Sequence, residues 1–333
     1  MKLRIIAFAA LYFLCLGLVP AFALNGSAPL QRLILAEGAN SIISASVFVA
    51  YEKGFFKQEG IEVSILRFLS GKEALETVVS GKADLATVAD HPIALGVMKG
   101  AKIYVLATLS NIGNIYGIVL RKDHGVSSLQ DLKGKRIGVV FGTNAQFILD
   151  SFLLYHHIPR NRVTLVNLQA NEIVKALSLG QVQAVATWEP FLSELQERLG
   201  NNALFYYDEK LLIYKMTWNL AAGQDFVRRN PEAVKKILRA LLKAEAFIHK
   251  NRQEARQIVI KSLKSDSGGF TRLWPAYRSN ISLSPLLIEN LESQSRWAIR
   301  NKLFSDREIP NFLQYIFFEG LESVNPKAVT IVH

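Results

Sequence analysis

Two short runs of glycine, hydroxyl and amide residues, Gly38 to Ser44 and Gly142 to Asn144, each stand just ahead of a helical run in this 333-residue chain. There the backbone N–H groups, with the side chains of Asn40, Ser41, Ser44, Thr143 and Asn144, can be aimed at one point. A helix entrance has N–H groups without intrahelical partners and the positive end of the helix dipole. The chemistry expected of such turns is recognition of an oxyanion such as a sulfonate, nitrate or carboxylate. Ser70-Gly71 is a third turn of this kind, followed by Lys72, which either neutralises the anion or is solvated. Each hydroxyl serves equally well as an ordinary N-cap.

Trp188 and Trp218 fall at strand ends, where they form apolar walls against a solute or belong to the core. Asp90 and Glu189 each lead into a proline, at Pro92 and Pro190, and either binds a ligand amine or caps a helix; for Asp90 the cap is the plainer reading. His91 beside it touches ligand or is structural. His156 and His157 are contiguous, so they point to different sides of a helix, and no carboxylate or third imidazole lies at ligand spacing; no metal site is expected. No Ser-His-Asp order, nucleophile elbow, phosphate loop or dinucleotide fingerprint appears, so neither catalytic residues nor a cofactor are expected.

The elements that carry these turns alternate. Arg32 to Ala36 reads as a strand, Ser44 to Lys53 as a helix, Ile61 to Phe68 as a strand, Lys72 to Val79 as a helix capped by Gly81, Asp84 to Ala89 and Lys102 to Leu109 as strands. The pattern then restarts: strand Lys135 to Val140, helix Ala145 to His156 with Thr143 and Gln146 as a capping box, strand Arg162 to Leu168, helix Asn171 to Leu179 capped by Gly180, strand Ala184 to Trp188. Glu73 to Pro92 and Glu172 to Pro190 align as helix, glycine, alanine-rich strand, acid, proline. That duplication predicts two copies of one α/β unit, each with a mostly parallel sheet whose C-terminal strand edges carry function and together form a cleft. Helices follow at Asp225 to Arg229, Glu232 to Lys250, Pro285 to Leu303 and Ile309 to Leu321, as in a chain that returns to finish its first lobe. The expected division is 24–120 plus 215–333 for lobe 1 and 121–214 for lobe 2, with hinges near Leu120 and Tyr214.

The formal charge is +11, and half of the residues are hydrophobic, enough for a buried core. No dense basic block with interleaved aromatics points to nucleic acid. Lys2 and Arg4 precede an apolar stretch from Ile5 to Val19, then Pro20 and Ala21-Phe22-Ala23, the pattern of a secretory leader cleaved after Ala23. Its loss removes two cations and no acid, leaving +9, and takes away Cys15, the chain's single cysteine. The mature protein is then without disulfides or thiolate chemistry.

The run from Val49 to Val63, with Ala50, Glu52-Lys53-Gly54-Phe55-Phe56 and Glu59-Gly60, resembles the opening of the nitrate/sulfonate/taurine-type periplasmic binding proteins. Asp131 to Gly138 followed by Gly142-Thr143 is similar to that family's entry into its second lobe, and Ala176-Leu177, Gly180 and Trp188-Glu189-Pro190 resemble its later signature. Gln183 departs from it, standing where the family often has Asp; Asp84 keeps the acid in the first copy. The resemblance covers Leu33 to the C-terminus. It implies a two-lobed periplasmic-binding-protein fold of type II, a small-molecule solute in the interlobe cleft, a periplasmic monomer, and ABC permease and ATPase partners. The same fold resembles thiamine-precursor binding proteins and hydroxymethylpyrimidine-synthesising enzymes, the latter associated with a cysteine-rich segment that this chain lacks.

Overall fold

A computed structural model describes residues 29–207, 214–264, 268–304 and 307–333; the leader and its expected cleavage point lie outside them. Its strands are β1 (Gln31–Gly38), β2 (Ile61–Phe68), β3 (Leu85–Ala89), β4 (Ile103–Ile112), β5 (Tyr116–Arg121), β6 (Arg136–Val139), β7 (Thr164–Asn167), β8 (Ala184–Trp188), β9 (Ala203–Tyr207), β10 (Met216–Gly223) and β11 (Ser279–Ser282). The helices between them are α1 (Ala45–Glu52), α2 (Phe55–Gln58), α3 (Gly71–Val79), α4 (Asp90–Met98), α5 (Asn144–Tyr155), α6 (Ile173–Ser178) and α7 (Phe191–Leu199). A largely helical return follows with α8 (Gln224–Arg229), α9 (Pro231–Lys250), α10 (Arg252–Leu263), α11 (Gly268–Leu273), α12 (Pro285–Arg300) and α13 (Phe318–Glu322). The amphipathic α9 enters on Pro231, whose missing N–H costs nothing at the first helical position, and packs on α1.

Two sheets result, ordered β11-β4-β10-β3-β1-β2 and β7-β6-β8-β5-β9. In each, three parallel strands (β2-β1-β3 and β7-β6-β8) are followed by one antiparallel strand, β10 or β5. β3 and β8 are buried along their whole length, as strands covered on both faces must be. The likeness of the two copies extends to single hydrogen bonds. Asp84 accepts from the backbone N–H of Ile34 in β1 at 2.8 Å, and Gln183 accepts from that of Arg136 in β6 at 3.2 Å, so Gln183 keeps the acceptor role of the acid it replaces.

In each sheet the antiparallel strand beside the parallel three is the first one laid down after the chain crosses from the other sheet. The outward crossing falls at 113–115, not near Leu120, which pairs with Ala184 and Leu204 inside β5. The second lobe therefore begins about five residues earlier than the sequence suggested. The chain returns to the first sheet between the end of β9 at Tyr207 and the start of β10 at Met216, and Tyr214 stands in that interval. The helix expected over Ile309 to Leu321 is reduced to a turn at Phe312–Tyr315 and the short α13. Between them Ile316 bridges Val105 and the Phe317 N–H donates to the Val105 carbonyl, so this apolar stretch runs along β4 instead of coiling.

Where β1 reaches α3, two glycines meet. A Cβ on Gly38 would lie 2.6 Å from the Gly71 Cα and one on Gly71 3.0 Å from the Val88 Cα, so only glycine lets the α3 entrance close on the sheet edge. Beside this contact the Glu37 carboxyl is fully buried. It accepts from the Ser44 hydroxyl at 2.7 Å and the Asn40 N–H at 3.1 Å, while the Trp218 indole donates to Ser44 at 2.9 Å. Burial pushes its pKa from 4.5 to about 7, against the lowering effect of these bonds and of Arg67. Because the native state holds this proton more tightly than the unfolded chain, the stability it confers is full below pH 4.5 and is lost as pH rises to about 7. In Glu37→Gln the amide oxygen can keep the Asn40 N–H and its nitrogen can donate to Ser44. This variant is expected to match the parent in urea unfolding at pH 4 and to exceed it by up to about 3 kcal/mol at pH 8. A difference that does not change with pH would overturn the assignment.

Candidate ligand-binding cleft

The C-terminal ends of β1, β3, β6 and β8 meet at one cavity between the lobes. The first lobe contributes Gly38, Ser70, Gly71, Lys72, Pro92 and Trp218; the second contributes Tyr116, Thr143, Asn144 and Trp188, with Ile115 from the outward crossing. About 350 Å³ of this space holds no atoms, but the volume a water molecule's centre can reach is about 20 Å³. That is room for about one water, so the walls lie close together here.

The entrances of α3 and α5 open on this cavity from opposite lobes. Ser70 caps α3 by accepting from the Glu73 N–H at 3.3 Å. At α5 the expected capping box does not form. The Thr143 hydroxyl turns back to donate to the Val140 carbonyl at 2.8 Å, and Gln146 reaches past it to accept from the Gly142 N–H at 2.8 Å. The left-handed Gly142 (φ 77°) brings that N–H within reach. Lys72 extends across the gap and donates to the Phe141 carbonyl at 3.3 Å. Among the described residues of the lining Lys72 is the charged one, and none is a carboxylate. Trp188 from β8 and Trp218 from β10 form walls on opposite sides, the former edge-on to Tyr116 at 6.5 Å.

Asp90 is placed differently from either expectation. It opens α4 without capping it and is fully buried. Its Oδ1 accepts from Asn144 at 2.7 Å, from Gln294 at 3.0 Å and from the Tyr214 hydroxyl; its Oδ2 accepts from the Thr217 N–H at 2.9 Å, the Thr217 hydroxyl at 3.1 Å and Asn290 at 2.8 Å. With six uncharged donors on two oxygens, the carboxylate is occupied and does not face the cavity. Burial and the Asp90 charge hold the Tyr214 phenol well above its usual range, so it remains a donor. His91 is also buried: its Nδ1 lies 3.0 Å from the Gln294 amide oxygen and its ring packs edge-on to Trp297 at 5.0 Å. Burial drives its pKa down to about 3, and it stays neutral.

The remaining expected residues separate from the cavity. Ser44 is held between Glu37 and Trp218. Asn40 accepts from Arg67 at 2.7 Å and, with Ser41 and Glu189, lines a neighbouring space under α11. Glu189 does act as a helix cap, accepting from the Ser193 N–H at 3.1 Å and hydroxyl at 2.8 Å, while its other oxygen pairs with Arg272 at 2.8 Å. The sequence reading missed Tyr116, Thr217, Asn290, Gln294 and Arg272. Asn290 and Gln294 carried a usable signal, since they are polar residues four apart on the otherwise apolar stripe Leu287, Leu291, Ala298 of α12. Among the described residues no cluster of His, Cys, Asp and Glu has the arrangement of a metal site, and no helix is long and apolar enough to cross a membrane.

The fold is shared with solved structures. The alkanesulfonate-binding protein SsuA from Xanthomonas axonopodis pv. citri, solved bound to MOPS, superposes with a TM-score of 0.74 at 18% identity, covering 87% of this chain and 99% of that one. A putative aliphatic sulfonates-binding protein of Bacillus subtilis is 26% identical over 262 residues, 78% of this chain and 77% of its own length. The 4-amino-5-hydroxymethyl-2-methylpyrimidine phosphate synthase THI13 of Saccharomyces cerevisiae is 27% identical over 214 residues, 61% of this chain and 62% of that protein. The model of the family described as NMT1/THI5 like matches residues 42–255, and the chain, with its paired sheets and interlobe cavity, belongs to that family.

Proposed function

We propose that this protein is the extracytoplasmic solute-binding component of an ABC-type importer, taking a small organic anion of the sulfonate class. The observation that carries this reading is the cavity itself. Two helix entrances from opposite lobes and one lysine converge on one narrow space, and none of its described lining residues is a carboxylate. An anion gains from both dipoles, from Lys72 and from the unpartnered N–H groups of the first turns. The sulfonate-binding relatives and the leader read in the sequence support an exported monomer that offers its closed form to permease and ATPase subunits. The titratable groups at the start of α4 lie outside the lining: His91 is neutral and held by Gln294, and Asp90 is fully engaged by donors. The two tryptophans also suit a flat ring between them, which keeps a pyrimidine solute as the second reading and gives the synthase relative its relevance.

Binding is expected to raise the melting temperature by mass action. At a hundred times Kd the stabilisation is about 2.7 kcal/mol, a shift of several degrees. In thermal-shift measurements ethanesulfonate and taurine should stabilise the chain, with nitrate, carboxylates and hydroxymethylpyrimidine as comparisons. Lys72→Met should weaken the sulfonates at least tenfold. A shift from the pyrimidine alone would replace the first reading with the second, and turnover of any of these compounds would overturn a purely binding role.

Closure brings Asn144 of the second lobe onto Asp90 of the first. Asp90→Asn places an amide nitrogen against groups that are all donors. Urea unfolding should show a loss of about 3 kcal/mol or more, with weaker sulfonate binding because the bond from Asn144 is impaired. An unchanged urea midpoint would refute the role given to Asp90.

A further inference from the structure

Gly269 and Arg272 of α11 meet the second lobe away from the interlobe cavity, and neither lines it. The first lobe braces this short helix. Phe270 and Leu273 are buried, Phe270 stacks on Trp274 at 5.4 Å and Trp274 on Tyr277 at 5.8 Å. From α10, Arg256 lies over Phe270 at 5.4 Å and Arg252 over Trp274 at 4.6 Å. On its other side α11 rests against α7. A Cβ on Gly269 would overlap the Glu189 carboxyl and lie 2.5 Å from the Ser193 Oγ. Gly269 is not in the left-handed region, so the contact alone calls for glycine there. The carboxyl is pinned in place: one oxygen caps α7 through the Ser193 N–H and hydroxyl, and the other accepts from Arg272 at 2.8 Å. One residue earlier, a Cβ on Gly268 would meet no atom within 4 Å.

Arg272 carries the contact across the pivot. Besides Glu189 it donates to the carbonyl of Asn114, in the outward crossing, at 3.0 Å, and its guanidinium lies 4.5 Å over the ring of Tyr207, the residue from which the return departs. One first-lobe side chain thus touches the second lobe and both places where the chain changes sheets. Rotation of one lobe on the other about the crossings changes the distance from α11 to Glu189. We propose that Gly269 and Arg272 are positioning residues that set the closed angle between the lobes: the bare backbone of Gly269 is the stop on which Glu189 comes to rest, and Arg272 holds it there. The inference rests on the lobe closure of the proposed function and not on which solute the cavity takes. A methyl group at the stop props the lobes apart, so that every interaction a solute makes with both of them weakens together.

Gly268→Ala and Gly269→Ala add the same methyl group to the same helix, one into open space and one at the stop. In calorimetric titration Gly269→Ala should weaken ethanesulfonate and taurine by one common factor of about tenfold or more, and Gly268→Ala should leave both within about twofold of the parent. Small-angle X-ray scattering at saturating ethanesulfonate should give Gly269→Ala a larger radius of gyration than the parent. Arg272→Met removes the hold without touching the lining and should also weaken both compounds by a common factor. Thermal unfolding establishes that each variant is folded; should Gly269→Ala fail to fold, Arg272→Met carries the test, and parental affinity in it refutes the assignment. Parental binding and scattering in a folded Gly269→Ala, unequal losses for the two compounds, or an equal loss in Gly268→Ala would overturn the stop and leave the anion reading standing. If the parent binds neither sulfonate, the anion reading falls and scattering from the unliganded proteins decides the stop: Gly269→Ala should have the larger radius of gyration of the two glycine variants, and equal radii would refute it.

Discussion

A carboxylate buried with no cation beside it among the described residues must be solvated by the protein itself, and Asp90 imposes that requirement on everything around it. Leaving such a charge short of donors costs several kcal/mol. The donors come from five residues at four places in the chain: α4's own lobe through Thr217, the helix α12 through Asn290 and Gln294, the return crossing through Tyr214, and the second lobe through Asn144. The acid at the end of β3 thus fixes the register of β10, the rotation of α12 and the path of the crossing segment. It is also where the two lobes find their closed arrangement.

The duplicated halves diverge at this corner. Asp84 and Gln183 perform the same backbone-holding task, and both sheets insert a strand from the crossing chain at the same position. Asp90 and Glu189, equivalent by position, part company: one is surrounded by neutral donors, the other caps α7 and pairs with Arg272. Both solutions turn the carboxylate away from the interlobe cavity, and the two corners that looked able to hold an amine leave the proposed anion site between them.

What the sequence disclosed follows from how far apart the interacting residues stand. Ile61 to Phe68 and Ala184 to Trp188 were legible with the bounds the structure gives, because each is an apolar run punctuated by glycine, proline or an acid within a few positions. β5 was not, since Tyr116 to Arg121 continues the apolar character of β4 with only Gly113 and Asn114 between, and nothing local says that the chain has changed sheets. The helix expected over Ile309 to Leu321 failed for the same reason: a tertiary bond to Val105 outweighed helix-like spacing. At the cleft, the turns ahead of α3 and α5 and both tryptophans were found from residue type. The fate of Asp90 was not, because its side-chain donors stand 54 to 204 residues away. Ser44 was misread because its hydroxyl is claimed by Glu37, an acid hidden at the end of an otherwise ordinary strand.

The magnitudes of the interlobe contacts say what a ligand must do. Asn144 to Asp90 and Lys72 to the Phe141 carbonyl are hydrogen bonds worth about 0.5–1.5 kcal/mol net, somewhat more where a charge is involved. Arg272 to Glu189 joins the first lobe to the second across a partly solvated gap, with a third of the arginine exposed, and its Coulomb gain is reduced accordingly. Together these contacts amount to a few kcal/mol, whereas moving a two-state equilibrium from 1:99 to 99:1 takes about 5.5 kcal/mol. They bias the lobes toward meeting without holding them shut. In the proposed function, an anion bound to both helix entrances adds interactions that exist only when α3 and α5 face each other, a differential affinity that would convert occupancy into closure.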